Sequence, residues 1–152
     1  MKPRSRARGW ALQALYAWEA RRHDVSIDET LRQFMIDRNI AADSREYLRR
    51  LVRLVDQHID EIDAQLESAL RNWRMDRLSV IDRNVLRIGA AELLYVPEVP
   101  ERVAIQEAII LAEKYGTAES PRFVNGVLDA LMRRVRPASS GRAPDPGEET
   151  RP

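Results

Sequence analysis

The side chains that most often carry chemistry are sparse in this sequence and poorly placed for it. Its two histidines, His23 and His58, are far apart and have no histidine or carboxylate at zinc-ligand spacing, and there is no cysteine. Thiolate metal sites, cysteine nucleophiles and disulfide frameworks are thereby excluded. None of the six glycines precedes Lys-Ser or Lys-Thr, as a phosphate-cradling loop requires, and no serine sits in a glycine-flanked nucleophile turn. Asp60 and Asp63 are the kind of acid pair that could share a proton, but they fall on a charged helix face where both carboxylates stay hydrated. The reading is a protein with no enzymatic activity, no metal and no cofactor.

Binding chemistry is better represented. Lys2, Arg4, Arg6 and Arg8 lie within the first ten residues with no acid among them. The whole chain carries a net charge of +1, so the remaining 142 residues sum to −3. A basic arm on a mildly acidic body points to a polyanionic partner, although short basic termini also serve as plain solubilising tails. Two aromatics stand off the apolar stripes of their helices. On a helical wheel Tyr16 lies about 130° from the centre of the Ala11, Leu15 and Trp18 stripe, and Phe123 about 100° from that of Val124, Leu128 and Leu131. Phe123 neighbours Arg122, and Tyr16 is two turns beyond Arg8. Unpaired RNA bases are held by aromatic stacking beside phosphate-binding cations, so these residues suit a single-strand RNA surface. The alternative is that Phe123 closes a helix contact and Tyr16 faces a second core layer.

The elements that must position these residues are helices. Ala11, Ala14, Leu15 and Trp18 form one stripe in a helix from about Ser5 to Arg21. Ser26 with Glu29 reads as a capping box opening a second helix, and Asp43 with Glu46 repeats the signature. The longest pattern follows, Leu48, Val52, Val55, Ile59, Ile62, Leu66 and Ala69, a bundle spine with a break expected near Gln57 to Asp60. Ser79 and Asp82 open the next helix, which stops at Pro97 to Pro100. Another ends at Gly116, and Ser120 followed by Pro121 starts the last. Strand-forming alternation is missing. The sequence therefore predicts an all-α bundle of six or seven helices.

At 152 residues with 44% hydrophobic positions, the chain has the length of one domain and can bury a core without staples. Residues 1–136 form that domain, and the Pro- and Gly-rich 137–152 reads as a disordered tail. No apolar run approaches the length of a membrane span, and Met1 to Arg6 leads into no signal-like core, so a cytoplasmic protein is expected.

Several blocks resemble the bacterial transcription antitermination factor NusB family. They are Arg8-Gly-Trp-Ala-Leu-Gln-Ala-Leu-Tyr16, Leu78-Ser-Val-Ile-Asp-Arg-Asn-Val-Leu-Arg-Ile-Gly-Ala-Ala-Glu-Leu93, Val103-Ala-Ile-Gln-Glu-Ala108, Ala112-Glu-Lys-Tyr-Gly116 and Ser120-Pro-Arg-Phe-Val-Asn-Gly-Val-Leu-Asp129. They run in order over residues 2 to about 136, and the last is the most specific. The resemblance implies two packed three-helix subdomains and no catalysis. It implies binding of boxA RNA in nascent ribosomal RNA transcripts as a heterodimer with NusE, a small-subunit ribosomal protein. The pair then joins RNA polymerase and other Nus factors to suppress premature termination. By position, Lys2, Arg4, Arg6 and Arg8 correspond to phosphate contacts, and Glu119, Arg122 and Phe123 to a second RNA-contacting patch. Tyr16 and Asp82 correspond to the NusE interface and its border with RNA.

The sequence departs from the family pattern in Ser5, which interrupts the basic run, in Gln106, where Asn is usual, and in the tail. Two other readings go with the resemblance. A NusB-like domain also precedes the catalytic domain of ribosomal RNA cytosine methyltransferases, but that enzyme needs a cofactor-binding α/β domain after residue 136, and sixteen residues follow. Some relatives self-associate, so a homodimer over the seam or the RNA face is the other.

Overall fold

The computed structural model describes residues 1–22 and 24–136, so the expected disorder of 137–152 and the position of His23 lie outside the described residues. Six helices follow one another: α1 (Pro3–Ala20), α2 (Ile27–Asp37), α3 (Ala42–Ala69), α4 (Val80–Tyr95), α5 (Glu101–Tyr115) and α6 (Ser120–Val135). A single 3-10 turn, Met75–Arg77, interrupts the link from α3 to α4, and among the described residues there is no strand.

Local chemistry explains most helix ends. α1 begins two residues earlier than its stripe suggested, because Pro3 fills a first-turn position that needs no amide donor. Ser26 and Ser79 accept hydrogen bonds from the Glu29 and Asp82 amides at 3.1 Å, capping α2 and α4 as expected. Asp43 and Ser120 do not cap. α3 starts after Ala41, and Asp43 lies inside its first turn with its carboxylate turned to Arg6 at 3.2 Å. Ser120 is already helical, and its hydroxyl accepts from the Thr117 amide at 3.0 Å, closing the α5 to α6 turn instead. That turn needs Gly116, where a Cβ would lie 2.8 Å from the Ala112 carbonyl and 2.5 Å from Ser120 Oγ. The spine helix α3 kinks at His58 (φ −122°, ψ 22°), inside the expected break, where the imidazole stacks on Tyr95 at 4.1 Å.

α1, α2 and α3 pack on one another, as do α4, α5 and α6, giving two three-helix subdomains joined where α4 seats against α1 and α3. α4 is central and consequently buried on all its faces, with Val85, Leu86, Ile88, Ala90, Ala91 and Leu93 packed in the core and the polar Asn84, Arg87 and Glu92 buried among them. Gly89 lets α6 approach closely, since a Cβ there would stand 2.5 Å from a methyl of fully buried Leu128.

Charges inside this core are paired, as burial demands. Arg87 bridges Glu19 at 2.8 Å and Asp63 at 2.9 Å. Arg136, at the end of α6, donates to the carbonyls of Glu92, Leu93, Val96 and Val99 at 2.9 to 3.2 Å. It thereby supplies a donor to the otherwise unpaired Leu93 and Val99 carbonyls and a second donor to those of Glu92 and Val96, which also accept the Val96 and Val99 amides, and so ties the end of α6 to the end of α4 and the link that follows.

Candidate nucleic-acid interface

The predicted RNA contacts fall into two places. Lys2, Arg4, Arg6 and Arg8 occupy the start of α1, and Glu119, Arg122 and Phe123 the start of α6, with Asp82 in the first turn of α4. Glu98, on the α4 to α5 link, approaches Arg4 at 3.8 Å, and nearby Val99 binds Arg136 at the far end of α6. Thirteen residues separate Phe123 from Arg136. At 1.5 Å per residue the two patches are about 20 Å apart along α6.

The basic start is not a free arm. It is helical, and each arginine meets carboxylates. Arg4 lies over the Tyr47 ring at 4.3 Å beside Glu98, and Arg6 pairs with Asp43. Both remain partly exposed. Pairs of that kind contribute about 0 to 1 kcal/mol and can exchange for a phosphate. Lys2 is exposed and has no ion pair among the described residues.

Arg8 differs, and the structure corrects its assignment as a phosphate contact. Only 3% of it reaches solvent. Its Nε donates to both oxygens of buried Glu92 at 3.0 and 2.9 Å, and Nη1 to Glu107 at 3.1 Å. The Tyr47 hydroxyl also donates to Glu92. Burial raises the Tyr47 pKa above that of an ordinary phenol, and the Glu92 charge adds to the rise. Burial likewise raises Glu92 against the pull of Arg8. Exposed Glu98 is held down at about 2 by hydrogen bonds from Arg50, so it stays ionised beside Arg4.

At the other patch the periodicity argument holds. Phe123 is half-buried, packed on the core with part of its ring outside, and Arg122 beside it is exposed. A cavity of about 330 Å³ brings Phe123 together with Glu119, Asp82, Ser79 and Trp73. Asp82 Oδ1 is buried without a hydrogen-bond partner among the described residues, leaving an acceptor for a donor from outside the chain. A second cavity of about 370 Å³ lies on another side of Phe123, walled by Arg71, Arg122 and Arg133. Tyr16 is 48% exposed on α1, as its wheel position predicted, but lines neither cavity.

The sequence reading missed Trp73. It is 56% exposed and meets Phe123 edge to face, with ring centroids 6.3 Å apart at 72°. A signal was present: Arg71-Asn-Trp-Arg-Met-Asp-Arg77 holds three arginines and a tryptophan outside any apolar stripe. Among the described residues no close ion pair joins Arg71, Arg77 or Arg122 to a carboxylate, although the Arg77 charge also acts on Asp76, which Arg74 holds at 2.9 Å. Rings with exposed faces, unpaired guanidiniums and open cavities are what stacking and phosphate binding require.

Known proteins resemble the chain in sequence and in fold. The model of the NusB family matches residues 5–133. The transcription antitermination protein NusB of Chloroherpeton thalassium is 36% identical over 135 residues, covering 88% of this chain and 63% of its own. The chain thus spans somewhat under two thirds of that relative's length. Among solved structures, T. maritima NusB superposes with a TM-score of 0.83 at 35% identity, covering 93% of this chain and 98% of its own. A structure of the antitermination factors NusB and NusE in complex with dsRNA superposes with a TM-score of 0.79 at 33% identity, covering 88% and 98%.

Proposed function

The chain belongs to the NusB family of transcription antitermination proteins, and on that premise we propose that it binds boxA-type RNA of nascent ribosomal RNA transcripts together with NusE. The protein acts without catalysis, in the cytoplasm, as part of an RNA polymerase complex with other Nus factors that suppresses premature termination. The observation that carries this reading is the half-exposed Phe123 ring beside unpaired Arg122 at the start of α6, with open cavities on its flanks. A relative solved with NusE and dsRNA supports both partners. Lys2, Arg4 and Arg6 take phosphates, Glu119, Arg122 and Phe123 hold bases and backbone, and Tyr16 and Asp82 face NusE at its border with RNA. Arg8 organises the base of the first patch from within. A homodimer covering these surfaces would be the inactive form.

The test is RNA affinity across salt, with and without NusE, for a boxA-type single strand, a scrambled strand and a boxA duplex. Each cation neutralising a single-strand phosphate contributes about 0.7 to the slope of log affinity against log salt. Phe123→Ala is expected to cost roughly 1 to 3 kcal/mol of binding, as loss of one stacked base does. Equal affinity for boxA and scrambled strands refutes the reading.

A further inference from the structure

We propose that Trp73 is a second base-stacking position of this surface, adjoining Phe123, with Arg77 holding the phosphate of the adjoining nucleotide. The inference rests on the RNA-binding reading above and adds two residues to it. Tryptophan is highly buried on average, so an indole left 56% in water at the mouth of a cavity needs a reason. Core packing supplies none, since the link from Arg71 to Arg74 is exposed throughout. The rings fix one another's orientation through the 6.3 Å edge-to-face contact. That spacing leaves no room for a base between them, so each ring offers an outer face to its own base.

Space and charge agree with two nucleotides. Beyond the shared cavity, Trp73 borders a further opening of about 440 Å³ walled by Asn72, Arg74 and Arg77. Arg77 lines both that opening and the shared cavity, and makes no close ion pair among the described residues, its charge acting on Asp76 only at longer range while Arg74 holds that carboxylate. A guanidinium between two stacking positions meets the backbone phosphate that joins successive bases.

The experiment uses the full chain with NusE and a fluorescently labelled boxA-type RNA oligonucleotide. Trp73→Ala should weaken binding on the order of 5- to 150-fold, the effect of losing one stacked base. Trp73→Phe should retain most of the affinity, because a smaller aromatic face still stacks. RNA should quench tryptophan emission in the native protein and much less in Trp73→Phe, where only Trp10 and Trp18 remain. Arg77→Gln should lower the salt slope by about 0.7. Circular dichroism melts confirm that each variant is folded. Unchanged affinity in Trp73→Ala, or equal losses in both Trp73 variants without quenching, overturns the proposal. If Phe123→Ala weakens binding while Trp73→Ala does not, the second position falls and the RNA reading stands. If the native protein binds no RNA, both fall.

Discussion

Replacing Arg8 by alanine separates a buried structural ion from an RNA contact. Its guanidinium makes two hydrogen bonds to Glu92 and one to Glu107, with side-chain exposures of 4%, 1% and 18% for the three residues. Without Arg8, the Glu92 carboxylate keeps only the Tyr47 hydroxyl as a donor. Removing one partner of a buried ion pair costs about 3 to 5 kcal/mol, mostly because the other charge is left uncompensated. In a domain near 150 residues each kcal/mol moves the melting temperature by about 2 to 4 °C, so Tm should fall by roughly 6 to 20 °C. Calorimetry at neutral pH reads the shift. Adding Glu92→Gln to the variant should recover part of it, since the orphaned charge is then gone. Arg4→Ala, in an exposed pair, should cost at most about 1 kcal/mol. An Arg8→Ala protein with unchanged Tm and an RNA salt slope shallower by about 0.7 would refute the reasoning and return Arg8 to the phosphate contacts.

Two further outcomes follow from the buried network. Tyr47→Phe removes a donor to a charged group and should cost about 1.5 to 3 kcal/mol. The native phenol is raised by burial, so its proton stabilises the fold fully below the unfolded value of about 10 and drains away as pH climbs past it. Denaturation curves at increasing alkalinity should therefore show the native protein losing stability more steeply than Tyr47→Phe, and parallel losses would contradict this. Arg136→Ala leaves the Leu93 and Val99 carbonyls without a donor, while those of Glu92 and Val96 keep a backbone amide, and should lower stability by about 2 to 4 kcal/mol in urea titration, against a loss under 1 kcal/mol if water replaces the side chain freely.

Periodicity revealed every long helix, because burial of one face leaves the same 3.6-residue trace wherever it occurs. The α3 break expected near Gln57 to Asp60 falls at His58, although Ile59 keeps the apolar seam in step through the segment. Caps were legible only where the side chain acts locally. Ser26 and Ser79 obey the rule, whereas Asp43 is drawn to Arg6, 37 residues away, and no local pattern records that. Arg8 was misassigned for the same reason. Its partners Glu92 and Glu107 lie 84 and 99 residues along, so a charge buried by tertiary packing looked like one more member of a basic run. Phe123 and Tyr16 were recoverable because exposure on a helix is a matter of angle. Trp73 sits in a non-helical link where no wheel applies.

The spatial arrangement also reverses the weight given to the two patches. Read linearly, the first ten residues hold four cations and no acid. In the fold the three arginines face Asp43, Glu92, Glu98 and Glu107, and the one most deeply committed, Arg8, is buried away from the surface. Glu98 stays ionised down to about pH 2 and competes with any phosphate at Arg4. Every phosphate taken by Arg4 or Arg6 therefore gives back an ion pair of up to about 1 kcal/mol. Arg71 and Arg122 give back none and Arg77 only its longer-range attraction to Asp76, and all three stand beside the aromatic faces that a base can cover. If the proposed RNA surface is right, affinity per cation should therefore be weighted toward the link into α4 and the start of α6, where the sequence carries less charge.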